Sequence, residues 1–123
     1  MTGDPTLFEQ AWAARADDFD ACVAAHYLAR HQPDPEAALE WNARALRHAD
    51  AAGEERVRGF YPSLHLNLAK AYEDVGDLAA AASQYELAAA SARELPDDGY
   101  SAMIRRGINA GRARVSAGRD SAA

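Results

Sequence analysis

The side chains able to do chemistry are four histidines, one cysteine, a group of aspartates and a set of C-terminal arginines. His26 and His31 stand five residues apart and so do not share a helical face well, whereas His26 and Arg30, four apart, do. No HExxH, HxxxH or Cys/His cluster occurs, and the single Cys22 can build neither a disulfide framework nor a multi-cysteine zinc site. No metal and no cofactor are therefore expected. Cys22 lies beside an apolar stripe and reads as a buried, inert thiol. His65 falls at a packing position and His48 at an exposed one. Asp17, Asp18 and Asp20 lack the alternating ligands, glycine and terminal glutamate of a calcium loop, and read as a solvated helix face or a cap. There is no glycine-rich phosphate loop, no GxSxG and no recognisable carboxylate pair, so the chain is not expected to be an enzyme. Arg105, Arg106, Arg112 and Arg114 make the C-terminal segment locally basic, but the net charge of −6 argues against a general nucleic-acid binder.

The elements that must position these groups are helical. Thirty-one of the 123 residues are alanine, which loses no side-chain entropy in a helix. No run of alternating β-branched residues occurs. Phe8, Trp12, Ala16, Phe19, Val23 and Tyr27 fall on one face of a first helix opened by Asp4-Pro5. One long helix to about His31 is the first reading, and a break at Asp17 the second. Asp34 caps a second helix with Pro35 at its first position, ending near Gly53. A third runs from Glu54 to about Tyr72, kinked at Pro62, and Gly76-Asp77 closes it and caps the fourth. The fourth stops at Leu95-Pro96, and a fifth spans Asp97 to roughly Ala117. The expected organisation is a single domain over 1–118 with a disordered tail at 119–123. No apolar run approaches the roughly 20 residues of a membrane span, and no signal peptide is visible at Met1–Pro5, so a cytoplasmic location is expected.

The chain also repeats. Ala38 falls on Ala81 and Ala45 on Ala88, a period of 43 residues that carries Glu54 onto Asp97, Phe60 onto Met103 and Tyr61 onto Ile104. Such a period indicates stacked helix-turn-helix units. Within them, the stretch LHLNLAKAYEDVGDLAAAASQYELA from Leu64 to Ala88 resembles a tetratricopeptide repeat. Leu68, Ala69, Tyr72 and Gly76 match the first helix and turn of the family pattern, and Ala81, Tyr85 and Ala88 match the second helix. His65 departs from the family's tryptophan-type position, and Pro96 lies later than the family's proline. The match is strongest over 54–95. The last helix resembles a degenerate first helix, with Gly107 and Gly111 where Leu64 and Leu68 would sit.

The resemblance implies an all-α, TPR-like superhelix, a short right-handed solenoid of about five antiparallel helices. It also implies a function: binding of a peptide or helix of a partner protein in a concave groove lined by first helices. The repeat register then brings His26, Asn67, Lys70, Arg106 and Asn109 onto that face. A self-associating module, a homodimer through its terminal helices, is the alternative reading. Nucleic-acid contact through the C-terminal arginines is the third.

Overall fold

The computed structural model describes residues 17–122, so the readings placed on Asp4-Pro5, Phe8, Trp12 and Ala16 lie outside the described residues. Each described regular element is helical: α1 (Asp18–Arg30), α2 (Pro35–Ala52), α3 (Glu54–Val57), a 3₁₀ turn (Arg58–Phe60), α4 (Tyr61–Asp74), α5 (Leu78–Ala92) and α6 (Gly99–Ala122). The chain divides into two compact units between Arg58 and Gly59.

In the first unit α1 packs against α2. Asp17 is extended rather than helical, and its carboxylate accepts the Asp20 N–H at 2.8 Å. It is thus an N-cap, and the break at Asp17 replaces the continuous helix read first: a short polar side chain competes for the backbone donors of the following turn. Asp34 caps α2 by accepting from the Glu36 N–H, and Pro35 opens the helix where its missing N–H costs nothing. The buried face of α1 is made of Ala21, Cys22, Ala24, Ala25, Leu28 and Ala29, and that of α2 of Ala45 and Ala49. Seven of these eight side chains are Ala or Cys, which lets the two backbones approach closely.

The expected third helix is divided. The 3₁₀ turn at Arg58–Phe60 separates α3 from α4, and Pro62 sits in the first turn of α4. The pyrrolidine ring would collide with the carbonyl four residues back, that of Arg58, had the α-helix continued. The kink expected at Pro62 is therefore realised as a restart.

In the second unit α5 packs on α4, and α6 packs on both. The α4–α5 turn satisfies its own backbone. Gly76 takes a positive φ of 87°, its N–H reaches the Glu73 carbonyl, and the Asp77 N–H reaches the Tyr72 carbonyl at 2.9 Å. This double bond pattern needs a left-handed residue, which glycine adopts without strain. Asp77 then caps α5 through the Ala80 N–H. Among the described residues the core of this unit includes two adjoining clusters, one of Ala69, Ala81, Tyr85 and Val115, the other of Ala88, Ala92, Ile104 and Ile108. Leu66 borders both. Asp98 accepts the Ser101 N–H at 2.8 Å at the start of α6. That helix runs through Gly118, beyond the expected end near Ala117.

Ala81 is completely buried at the crossing beside Ala69 and Tyr85. Ala81→Leu is expected to overpack this site and cost roughly 1–3 kcal/mol, read as a lower urea midpoint. An unchanged midpoint would contradict the packing.

Candidate binding site

Tyr85 organises the second unit. Its ring is fully buried, and its hydroxyl donates to Glu73 Oε1 of α4 at 2.8 Å. Arg114 of α6 grips the same carboxylate with two bonds, Nε to Oε2 at 2.8 Å and Nη2 to Oε1 at 3.2 Å. Its Nη2 also donates to the Tyr85 oxygen at 3.3 Å. One residue from each helix thus meets at a single carboxylate. The Arg114 fork holds the Glu73 carboxyl below its ordinary value, against the opposing effect of burial. Burial, then the bond to Glu73, pushes the Tyr85 hydroxyl up to about 12. The ring passes so close to α6 that a Cβ at position 111 would overlap its Cζ, Cε1 and hydroxyl oxygen. Gly111 is therefore where α6 makes room for Tyr85.

Beside this knot, α5 and α6 leave a cleft of about 300 Å³. Its floor includes Ala89, Ala92 and Ile108, and its rim carries Glu86, Arg93, Arg105, Asn109 and Arg112. Arg105 reaches across from α6 to donate to the carbonyls of Ala92 and Leu95, at 3.1 and 3.0 Å. Ala92 ends α5 and its carbonyl also accepts the Leu95 N–H at 3.1 Å, while Leu95 lies in the turn that follows. The guanidinium thus joins that turn at the negative end of the α5 dipole. Arg112 pairs with Glu86 through Nε at 2.9 Å and Nη2 at 3.2 Å. A second cleft, of about 410 Å³, lies on the other side of that pair and includes Arg119 and Asp120.

The residues read from the repeat register are dispersed over three helices. Asn109 lines the α5–α6 cleft, and Arg106 is exposed on the same helix. Asn67 and Lys70 stand on α4, where the Lys70 ammonium lies 2.7 Å from Asp74. His26 belongs to α1 of the first unit. The sequence reading missed Arg93 and Glu86 and treated Arg105 and Arg112 only as nucleic-acid contacts. Their spacing of seven residues, two helical turns, was the available signal that the latter two share a face.

The other reactive groups are accounted for by packing. Cys22 is 2% exposed, and burial pushes its thiol up to about 11, as suits an inert side chain. His65 meets the Gln84 side-chain oxygen at 2.8 Å and stacks on Tyr61. His48, expected in solvent, is instead half-buried with Nδ1 2.9 Å from Asp18, because α2 lies against the start of α1. Among the described residues no group of three or more His, Cys, Asp and Glu side chains could hold a metal, and no helix is long and apolar enough to cross a membrane.

No protein-family model, curated protein or solved structure matches this chain.

His26 supplies a pH prediction. Burial, followed by the charge of Arg30, lowers its pKa below the ordinary 6.5. The folded state then favours the neutral ring, while the unfolded chain takes up a proton as pH falls below about 6.5. Its contribution is thus complete above that pH and is lost on acidification toward the folded value. The urea midpoint is expected to fall between pH 7.5 and 5.5, and to fall less in His26→Gln. An identical drop in both proteins would contradict this.

Proposed function

We propose that this chain is a short tetratricopeptide-like, right-handed helical solenoid that acts in the cytoplasm as a protein-interaction module and not as an enzyme. It binds a peptide or helix of a partner protein along its first helices. The supporting observation is the order of packing in the second unit: α5 returns against α4, and α6 then packs on both, as the next hairpin's first helix would. Ala69, Ala81 and Ala88 are fully buried at the positions where the resemblance asks for small side chains. In this reading Asn67 and Lys70 on α4, and Arg106 and Asn109 on α6, supply polar contacts to the ligand backbone and its carboxylates. The test is affinity capture from the native host with the wild-type chain and with Asn67→Ala/Arg106→Ala. A partner held by the former and lost by the latter supports the groove, and equal retention by both overturns it.

A second reading, self-association, is favoured by Tyr100 and Met103, which are 52% and 53% exposed on α6. Light scattering that finds a strict monomer at high concentration would remove it.

A further inference from the structure

The α5–α6 cleft carries a charge opposite to that of the chain around it. Three guanidiniums and one carboxylate line it, within a protein of net charge −6. Two of the guanidiniums are already fixed in place. Arg105 is tied to the carbonyls of Ala92 and Leu95, and Arg112 to Glu86. Their side-chain entropy is spent by folding, so a ligand need not order them. Arg93 is different: among the described residues it has no ion-pair partner, and it stands exposed at the end of α5 on the rim of the same cleft. The floor of Ala89 and Ile108 is apolar. A basic rim over an apolar floor suits a ligand with a short aliphatic stem and an anionic tip.

We propose that this cleft is a carboxylate site that takes a glutamate side chain from an acidic segment of a partner protein. The stem lies on Ala89 and Ile108, and the carboxylate is received by Arg93 with Arg105 and Arg112 beside it. A guanidinium fork matches two carboxylate oxygens in one plane, giving charge-assisted bonds roughly twice as strong as neutral ones. Glu86 at the rim sets the limit on ligand charge. With its carboxylate counted the lining is net +2, which suits one or two carboxylates better than a densely charged polyanion. The proposal shares with the groove reading the premise that the occupant is a protein segment, and Asn109, which lines this cleft, but it uses different arginines.

The probe is a fluorescein-labelled glycine-serine peptide carrying two adjacent glutamates, followed by anisotropy at about 50 mM salt, where surface charges are weakly screened. The wild-type chain is expected to bind, and to bind less as salt rises. Arg93→Glu is expected to weaken binding by about tenfold or more, and Arg93→Gln by less. Arg93 is exposed, and circular dichroism checks that both variants remain helical. Arg47→Glu makes the same charge change at an exposed residue of α2 that does not line the cleft, and is expected to leave binding within about twofold. No binding by the wild type, equal binding by Arg93→Glu, or an equal loss in Arg47→Glu would each overturn the site. Loss on Arg106→Ala with none on Arg93→Glu would also overturn it, while leaving the groove reading intact. Loss confined to the Arg93 variants supports the cleft, whatever the groove variants do in capture.

Discussion

Gly111→Ala lowers the melting temperature by about 10–20 °C. Helix propensity alone forecasts the reverse, since alanine is favoured over glycine inside a helix by about 1 kcal/mol. Geometry opposes it. The new methyl group would occupy the space of the Tyr85 ring, which is fully buried and tied at its hydroxyl to Glu73 and Arg114. The ring can yield only by leaving that position. Overpacking costs roughly 1–3 kcal/mol, and a lost hydrogen bond to a charged group roughly 1.5–3. The net is a loss of about 2–4 kcal/mol, hence the shift in melting temperature for a unit of this size. Shrinking the obstacle tests the cause: Gly111→Ala/Tyr85→Leu is expected to lose less than the sum of its single changes. Strict additivity, or a stabilised Gly111→Ala, would refute the contact. Gly107 is the internal control. A Cβ there meets only the Leu66 side chain, at 3.2 Å, so Gly107→Ala is expected to fall within about 1 kcal/mol of wild type.

Glu73→Ala is the second large effect, a loss of about 2–4 kcal/mol in urea unfolding. The Glu73 side chain is 14% exposed and accepts from both Tyr85 and Arg114. Without it the buried tyrosine hydroxyl has no carboxylate to donate to, and Arg114 offers only donors. Arg114 itself is 48% exposed and can turn to water, so most of the loss falls on Tyr85. Tyr85→Phe should therefore destabilise the wild type yet recover part of the loss in the Glu73→Ala background. No recovery would remove the orphaned hydroxyl as the cause. The pH dependence has a definite sign. Because the folded Glu73 carboxyl titrates below its ordinary 4.5, its contribution is complete above that pH and is lost as pH falls through the folded value. The wild type is expected to show this acid-limb loss, and Glu73→Ala to lack it.

Local chemistry made much of the secondary structure legible. Asp34-Pro35 opens α2 and Gly76-Asp77 joins α4 to α5 at the residues read from the sequence, because caps and turns depend on side chains within a few positions of the backbone they satisfy. Ala81, Tyr85 and Ala88 are buried at the positions where the resemblance asks for small and aromatic side chains. The stripe read by periodicity through Phe19, Val23 and Tyr27, however, is not the buried face of α1. Tyr27 is 45% exposed, and Ala21, Cys22, Ala24, Ala25, Leu28 and Ala29 are buried instead, because small side chains let α2 approach on that side. The boundaries were less legible. Asp17 stood between an apolar stripe that favoured continuity and a side chain that favoured a cap. Pro62 announced a disturbance without saying whether the helix would bend or restart.

What sequence alone determined is an all-helical chain whose small residues recur where hairpins cross. What only tertiary structure decided is which distant polar groups meet. Glu73 and Arg114 lie 41 residues apart, Arg112 and Glu86 lie 26 apart, and Arg105 finds the carbonyl that ends another helix. Periodicity assigns a residue to a face of its own helix. The partner across the gap is set by the rotation and offset of two packed helices, and a glycine such as Gly111 reveals its purpose only when a neighbour's ring is seen to occupy its missing side chain.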